Sequence, residues 1–182
     1  MNQGLIPARY AKALYEVAKE KDCDRKLYEQ LRQLTDTFAA EPKLNETIAN
    51  PFVDNSDKAA LIYSACHADD SDSMLSNFIK LLEQNRRMGM VREIAVAYQD
   101  VYRRDKRIHR VRVSAAAPLA KEAEDRLKKL ITDHLAGDTM EYSFVTDPDL
   151  IGGFVVTIDN RQLDASVKNE LKQLRLKLLS NK

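Results

Sequence analysis

Apolar residues recur at spacings of three and four through the first hundred positions. Ile6, Tyr10, Ala13, Leu14 and Val17 form one such set, and Leu27, Leu31, Leu34 and Phe38 a second. That period predicts amphipathic helices. Pro42 and Pro51 bracket a short segment holding Leu44 and Ile48, because proline interrupts a helix. Asp54-Asn55-Ser56-Asp57 supplies N-cap residues ahead of Ala60, Leu61 and Ala65. His67 to Ser73 is polar and reads as a loop, with Asp69, Asp70 and Asp72 as its acidic members. Met74, Leu75, Phe78, Ile79, Leu81 and Leu82 then give an apolar face wider than one core contact needs. After a break at Gly89, the spacing of Val91, Ile94, Ala95, Tyr98, Val101 and Tyr102 predicts a long last helix. About six helices joined by short loops imply a six-helix bundle over residues 1–105.

The pattern changes near Asp105. Val111 and Val113 alternate with Arg110 and Arg112, the period of a half-buried strand. Pro118 opens a predicted helix with Ala123, Leu127, Leu130, Ile131 and Leu135 on one face, ended by Gly137-Asp138. Tyr142 and Phe144 suggest a second strand. Ile151 to Ile158 and Leu163 to Ala165 flank Asp159-Asn160-Arg161, a hairpin turn. Val167, Leu171, Leu174 and Leu178 predict a closing helix. The expected fold is mainly α: a helical bundle over 1–105, then a small α+β domain over 106–182.

Composition narrows the function classes. The 182 residues carry 29 Lys and Arg against 28 Asp and Glu, a net charge of +1. That balance argues against a partner bound through bulk electrostatics, so no nucleic acid is expected. No apolar run approaches the ~20 residues that cross a bilayer, and the first residues lack the basic and apolar regions of a secretory signal. Membrane association is therefore expected only indirectly, through another protein. Cys23 and Cys66 lie outside any CxxC pair and read as free thiols, with a disulfide between them left open.

The chain is poor in recognisable chemistry. It has no P-loop, GxGxxG or HExxH. Gly152-Gly153 precedes a strand, not a helix, and reads as backbone geometry rather than a phosphate cradle. His67, His109 and His134 are far apart in sequence, without ligand neighbours at helical spacing. The acidic loop lacks the central Gly and closing Glu of an EF-hand. The six Lys and Arg between Arg103 and Arg112 have an RNA-contact reading. Against it stands a solvated linker running into an exposed strand edge, and no aromatic residue interleaves them to stack bases. No catalytic residue, cofactor or metal is expected, and binding is the remaining class. The first helix carries small residues (Ala8, Ala11, Ala13, Ala18) beside large Tyr10 and Leu14. This suits either bundle packing or, with the wide apolar face from Met74 to Leu82, a groove for an amphipathic helix.

Several ordered motifs resemble one family. Arg9-Tyr10-Ala11-Lys12-Ala13-Leu14-Tyr15 resembles the opening helix of ATP synthase delta subunits and of their mitochondrial counterpart, the oligomycin-sensitivity-conferring protein. Asn50-Pro51, the stretch Asn77 to Arg87, Val113-Ser114-Ala115 with Pro118-Leu119, Asp147 to Phe154, and Asp164-Ala165-Ser166-Val167 are similar to family motifs in the same order. The resemblance implies a non-catalytic stator subunit of a bacterial F-type ATP synthase, peripheral on the cytoplasmic face of the plasma (inner) membrane. The first domain would bind N-terminal segments of the alpha subunits in a groove between its first and fifth helices. Tyr10, Ala13 and Leu14 would lie on one wall, and Phe78, Leu81 and Leu82 on the other. The second domain would bind the C-termini of the b subunits.

Overall fold

Leu27, Leu31, Leu34 and Phe38 are all buried along a single helix, α2 (Asp24–Ala40). In the computed structural model, which describes residues 4–68 and 73–180, α2 packs with α1 (Leu5–Glu20), α3 (Pro42–Ala49) and α4 (Asn55–Ala65). Then come α5 (Ser73–Gln84), a 3-10 turn at Met88–Met90 and α6 (Val91–Lys106). Pro42 opens α3 because its missing N–H would be unpaired in a first turn anyway. Asn50 Oδ1 accepts a hydrogen bond from Phe52 N–H at 2.9 Å and turns the chain ahead of α4. The acidic residues Asp69, Asp70 and Asp72 lie outside the described residues.

Packing in this first unit rests on small residues and tyrosines. Ala11 and Ala18 are fully buried on α1, which lets neighbouring helices approach. Tyr15 meets Tyr98 and Tyr102 edge-on, at centroid distances of 5.8 and 6.2 Å, and Tyr28 stacks on Tyr102 at 4.2 Å. The polar tips find partners. Tyr98 donates to the Asp24 carbonyl at 3.1 Å, and Tyr15 donates to Asp105 Oδ2 at 2.7 Å. Burial, then the Asp105 carboxylate, pushes the Tyr15 hydroxyl well above the ordinary phenol range. Gln99 is buried yet satisfied: it donates to the Leu31 carbonyl and Thr35 Oγ1 and accepts from Arg103.

A left-handed residue, Arg107 (φ 52°), separates α6 from the first strand. The chain divides into two compact units here, Met1–Asp105 and Lys106–Lys182. The second unit contains β1 (Ile108–Ala115), α7 (Lys121–His134), β2 (Thr139–Thr146), a 3-10 turn (Pro148–Leu150), β3 (Gly153–Ile158), β4 (Arg161–Ser166) and α8 (Val167–Ser180). The sheet order is β2-β1-β3-β4. β1 pairs parallel with β2 and antiparallel with β3, and β3 pairs antiparallel with β4. A parallel pair needs a crossover, and α7 supplies it. Val111, Val113, Ile131 and Val156 form a small core, flanked by Leu127, Tyr142, Phe144 and Phe154.

Three expectations change. β1 is paired on both sides, so Arg110 and Arg112 do not guard an edge; they are exposed on the face opposite Val111 and Val113. Arg103, Arg104 and Lys106 belong to the last turns of α6, where cations complement the helix dipole. Pro118 does not open α7. The helix starts three residues later, after Ala120 in extended conformation, and Leu130 of its expected apolar face is exposed.

Gly153 has a specific reason to be glycine. Its φ is +71°, and a Cβ there would stand 2.2 Å from the Ala165 carbonyl oxygen. The pair is thus backbone geometry at the close approach of β3 and β4.

Candidate partner-binding surfaces

The described helices hold two kinds of apolar face. Some are buried within their own unit, and others are left open. On α1 the inner face is Pro7, Ala11, Leu14, Tyr15 and Ala18. Of the periodic set in the sequence, only Leu14 is buried. Tyr10 is half-buried, and Ala13 and Val17 are exposed. Ile6, Tyr10 and Val17 therefore sit toward the outer flank, while Ala11 and Ala18 face inward beside Leu14 and Tyr15.

The six residues expected to line a groove divide evenly. Leu14, Phe78 and Leu82 are buried and hold α1 and α5 into the unit. Tyr10, Ala13 and Leu81 are reachable from outside, Leu81 being 46% exposed. Tyr10 is fixed from the α5 side: Arg87, just beyond that helix, donates to the Tyr10 hydroxyl at 2.9 Å and lies 5.3 Å from its ring centroid. Arg87 and Tyr10 thus tie the C-terminal end of α5 to the outer flank of α1.

α8 is the barest helix. Leu171, Leu174 and Leu178 are 55, 57 and 70% exposed, and Leu176 and Leu179 are exposed beside them. The periodicity of Val167, Leu171, Leu174 and Leu178 made the helix legible. That its face stays open was not, although Leu176 and Leu179 widen the stripe in the sequence itself.

A cleft of about 880 Å³ lies in the same unit, between α7 and the β3–β4 half of the sheet. Leu127, Leu130, Leu135, Phe154, Val156 and Leu163 give it apolar walls. α7 is held over the other half, where Lys128 bonds Glu124 at 2.7 Å and sits 4.4 Å from the Tyr142 ring centroid. At one end of the cleft His109 stands between two carboxylates. Its Nδ1 is 2.7 Å from Asp159 Oδ2, and its Nε2 is 3.3 Å from Asp138 Oδ2. The hydrogen bond with Asp159 raises the imidazole above its ordinary value; burial opposes it, and the bond with Asp138 adds to the rise. Sequence reasoning missed this trio because its members lie 29 and 50 residues apart.

Among the described residues no group of three His, Cys, Asp or Glu is placed to hold a metal ion. Asp138 and Asp159 face different ring nitrogens, so they do not converge on one point. Cys23 is half-buried and Cys66 buried, and the two are not joined by a disulfide. None of the described helices is long and apolar enough to cross a membrane.

These features define a mainly helical, two-unit protein, with a small four-stranded sheet in its second unit and large apolar side chains left open. A sequence model of the ATP synthase delta (OSCP) subunit matches residues 6–178, and the chain belongs to that family. It is 36% identical to ATP synthase subunit delta of Bacteroides thetaiotaomicron over 176 residues, which cover 96% of this chain and 94% of the relative. It is 35% identical to subunit delta of Parabacteroides distasonis over the whole of both chains. The fold is also that of a chain in the mitochondrial ATP synthase hexamer of Toxoplasma gondii, with a TM-score of 0.74 at 21% identity, covering 95% of this chain and 97% of that one. Membership makes the coarse role that of a delta/OSCP-type subunit of ATP synthase, a component of its peripheral stalk.

Proposed function

We propose that this protein is a non-catalytic connector that links the alpha/beta head of the synthase to its membrane-anchored b subunits. In this reading the first unit, 1–105, is the six-helix bundle of the family and binds N-terminal helices of the alpha subunits. The second, 106–182, binds the C-termini of the b subunits. The protein works at the cytoplasmic face of the bacterial plasma (inner) membrane and is held there through its partners. Its task is to resist torque, so that the head does not turn with the rotor. That requires slow dissociation at both ends and no bond-breaking chemistry.

The supporting observation is the pair of open apolar surfaces, one per unit: the α1 flank with Tyr10, Ala13 and Leu81 beside it, and the bare leucines of α8. An amphipathic helix laid on either surface would exclude water from it. Isothermal calorimetry on the full chain tests the reading. A peptide copied from the N-terminus of an alpha protein and a fragment copied from the C-terminus of a b protein should each bind. Ala13→Arg should weaken the alpha peptide alone and leave thermal stability within about 0.5 kcal/mol, as expected for an exposed position. No measurable binding of either segment would sink the proposal.

A further inference from the structure

His109 joins three segments distant in sequence: the start of β1, the loop between α7 and β2, and the β3–β4 turn. Both ring nitrogens face a carboxylate oxygen, at 2.7 and 3.3 Å. A neutral imidazole has one N–H and can donate to only one of them. An imidazolium has two and satisfies both. Asp159 is held in turn by the Arg110 backbone N–H, which donates to its other oxygen at 2.9 Å. The turn needs such a hold, because Asp159 has a φ of +50° in a two-residue connection between Ile158 and Arg161.

We propose that His109 is a proton-operated clasp that closes one end of the α7–sheet cleft. As the imidazolium it ties the Asp138 loop to the Asp159 turn. When one proton leaves to solvent, one carboxylate loses its donor and the side-chain tie between the two segments opens, leaving them to the backbone bonds of Asp159 N–H to the Arg110 carbonyl at 2.9 Å and of Thr139 N–H to the Arg107 carbonyl at 3.2 Å. The side chain is 31% exposed, so the proton exchanges freely with water. The other charged or titratable groups along this end of the cleft are His134 on α7 and Arg161 at the start of β4, with Arg110 next along β1. None of the three can accept from the imidazolium as a carboxylate does, so Asp138 and Asp159 set its behaviour. The clasp does not depend on what fills the cleft. Any ligand that prefers the closed cleft will be coupled to proton binding at His109, since both bias the same segments.

The direction follows from linkage. A group whose folded pKa is raised contributes stability below its unfolded value and loses it as pH rises through the folded value. The clasp is therefore shut on the acid side and opens on the alkaline side.

The test is an NMR titration of the full chain from about pH 5 to about pH 9, following the imidazole Cε1–H signals across the range in which histidines change charge. His109 should titrate above the ordinary imidazole value of about 6.5. Asp138→Asn and Asp159→Asn should each lower its midpoint. Amide exchange at residues 136–139 and 159–161 should accelerate across that midpoint by more than the intrinsic pH dependence, and His109→Gln should abolish the extra step. A wild-type midpoint at or below the ordinary value overturns the clasp. So does a midpoint that neither Asn variant moves, or an exchange step that persists in His109→Gln.

Discussion

Gly153→Ala should destabilise the second unit selectively, and the geometry says by how much. The residue sits at φ +71°, where an alanine costs about 1–2 kcal/mol in left-handed strain. Its new Cβ would also stand 2.2 Å from the Ala165 carbonyl oxygen. That atom is backbone in β4, so relief requires the hairpin to shift, at the ~1–3 kcal/mol typical of overpacking. About 3 kcal/mol is a reasonable centre, which is a factor of ~150 in the unfolding equilibrium. Native-state amide exchange reads it residue by residue. Amides of central strand β1 should exchange ~150-fold faster, while amides in α2 and α6 provide the reference for the first unit. Gly152→Ala is the internal control. Its Cβ would meet the Val167 Cγ2 methyl at 2.9 Å, an atom of a partly exposed side chain and not of the backbone, and Gly152 has no positive φ. It should cost about 1 kcal/mol or less, part of it offset by a stiffer unfolded chain. If Gly153→Ala exchanged within about threefold of wild type, or if Gly152→Ala were the worse variant, the close-approach argument would be wrong.

Other perturbations separate the units and the surfaces. Leu31→Ala removes a fully buried side chain from α2 and should cost about 2–5 kcal/mol, seen as a lowered Tm by circular dichroism. Leu174→Asp on bare α8 should leave urea stability within about 0.5 kcal/mol, yet weaken binding of the b fragment at least ~10-fold in calorimetry; unchanged affinity would remove α8 from that interface. Urea midpoints for the second unit should fall on both sides of neutrality. On the alkaline side His109 loses its proton at a raised value. On the acid side Asp159 is protonated: burial pushes its carboxyl up, but the hydrogen bonds from His109 and the Arg110 N–H outweigh this and hold it below the usual range. A profile flat from pH ~3 to ~9 would contradict both shifts.

What the sequence disclosed depended on how each face announces itself. α2 was legible because most of its inward residues are large and apolar: Leu27, Leu31, Leu34 and Phe38 are the hydrophobic signal and are all buried, with Tyr28 and Gln30 beside them. β1 was legible for the same reason, with Val111 and Val113 alternating against arginines. On α1 signal and burial come apart. Ala11 and Ala18 are fully buried but too small to stand out, while Ile6, Tyr10 and Val17 dominate the pattern from the outer flank. The basic run misled about β1, because charge on alternate residues marks an open sheet face as readily as an edge. The His109 trio was beyond any local pattern, since it forms only when β1 stands between the α7–β2 loop and the β3–β4 turn.

Magnitudes also constrain how the second unit would hold a b protein. Leu171, Leu174 and Leu178 are each half to two-thirds exposed, so covering them removes only part of each side chain from water. At roughly 1–2 kcal/mol apiece the three supply about 3–6 kcal/mol. Association and side-chain ordering cost about 4–15 kcal/mol before any affinity appears. A b segment that touched these three leucines alone would therefore bind weakly, and a stalk under torque needs the opposite. Leu176 and Leu179 on α8, and the apolar walls of the α7–sheet cleft with Leu130 and Leu163 exposed, are further area in this unit that can close the deficit. On the proposed function, then, a tight b interface extends beyond these three leucines, and if it takes in the cleft, Leu130→Asp should weaken the b fragment as strongly as Leu174→Asp does.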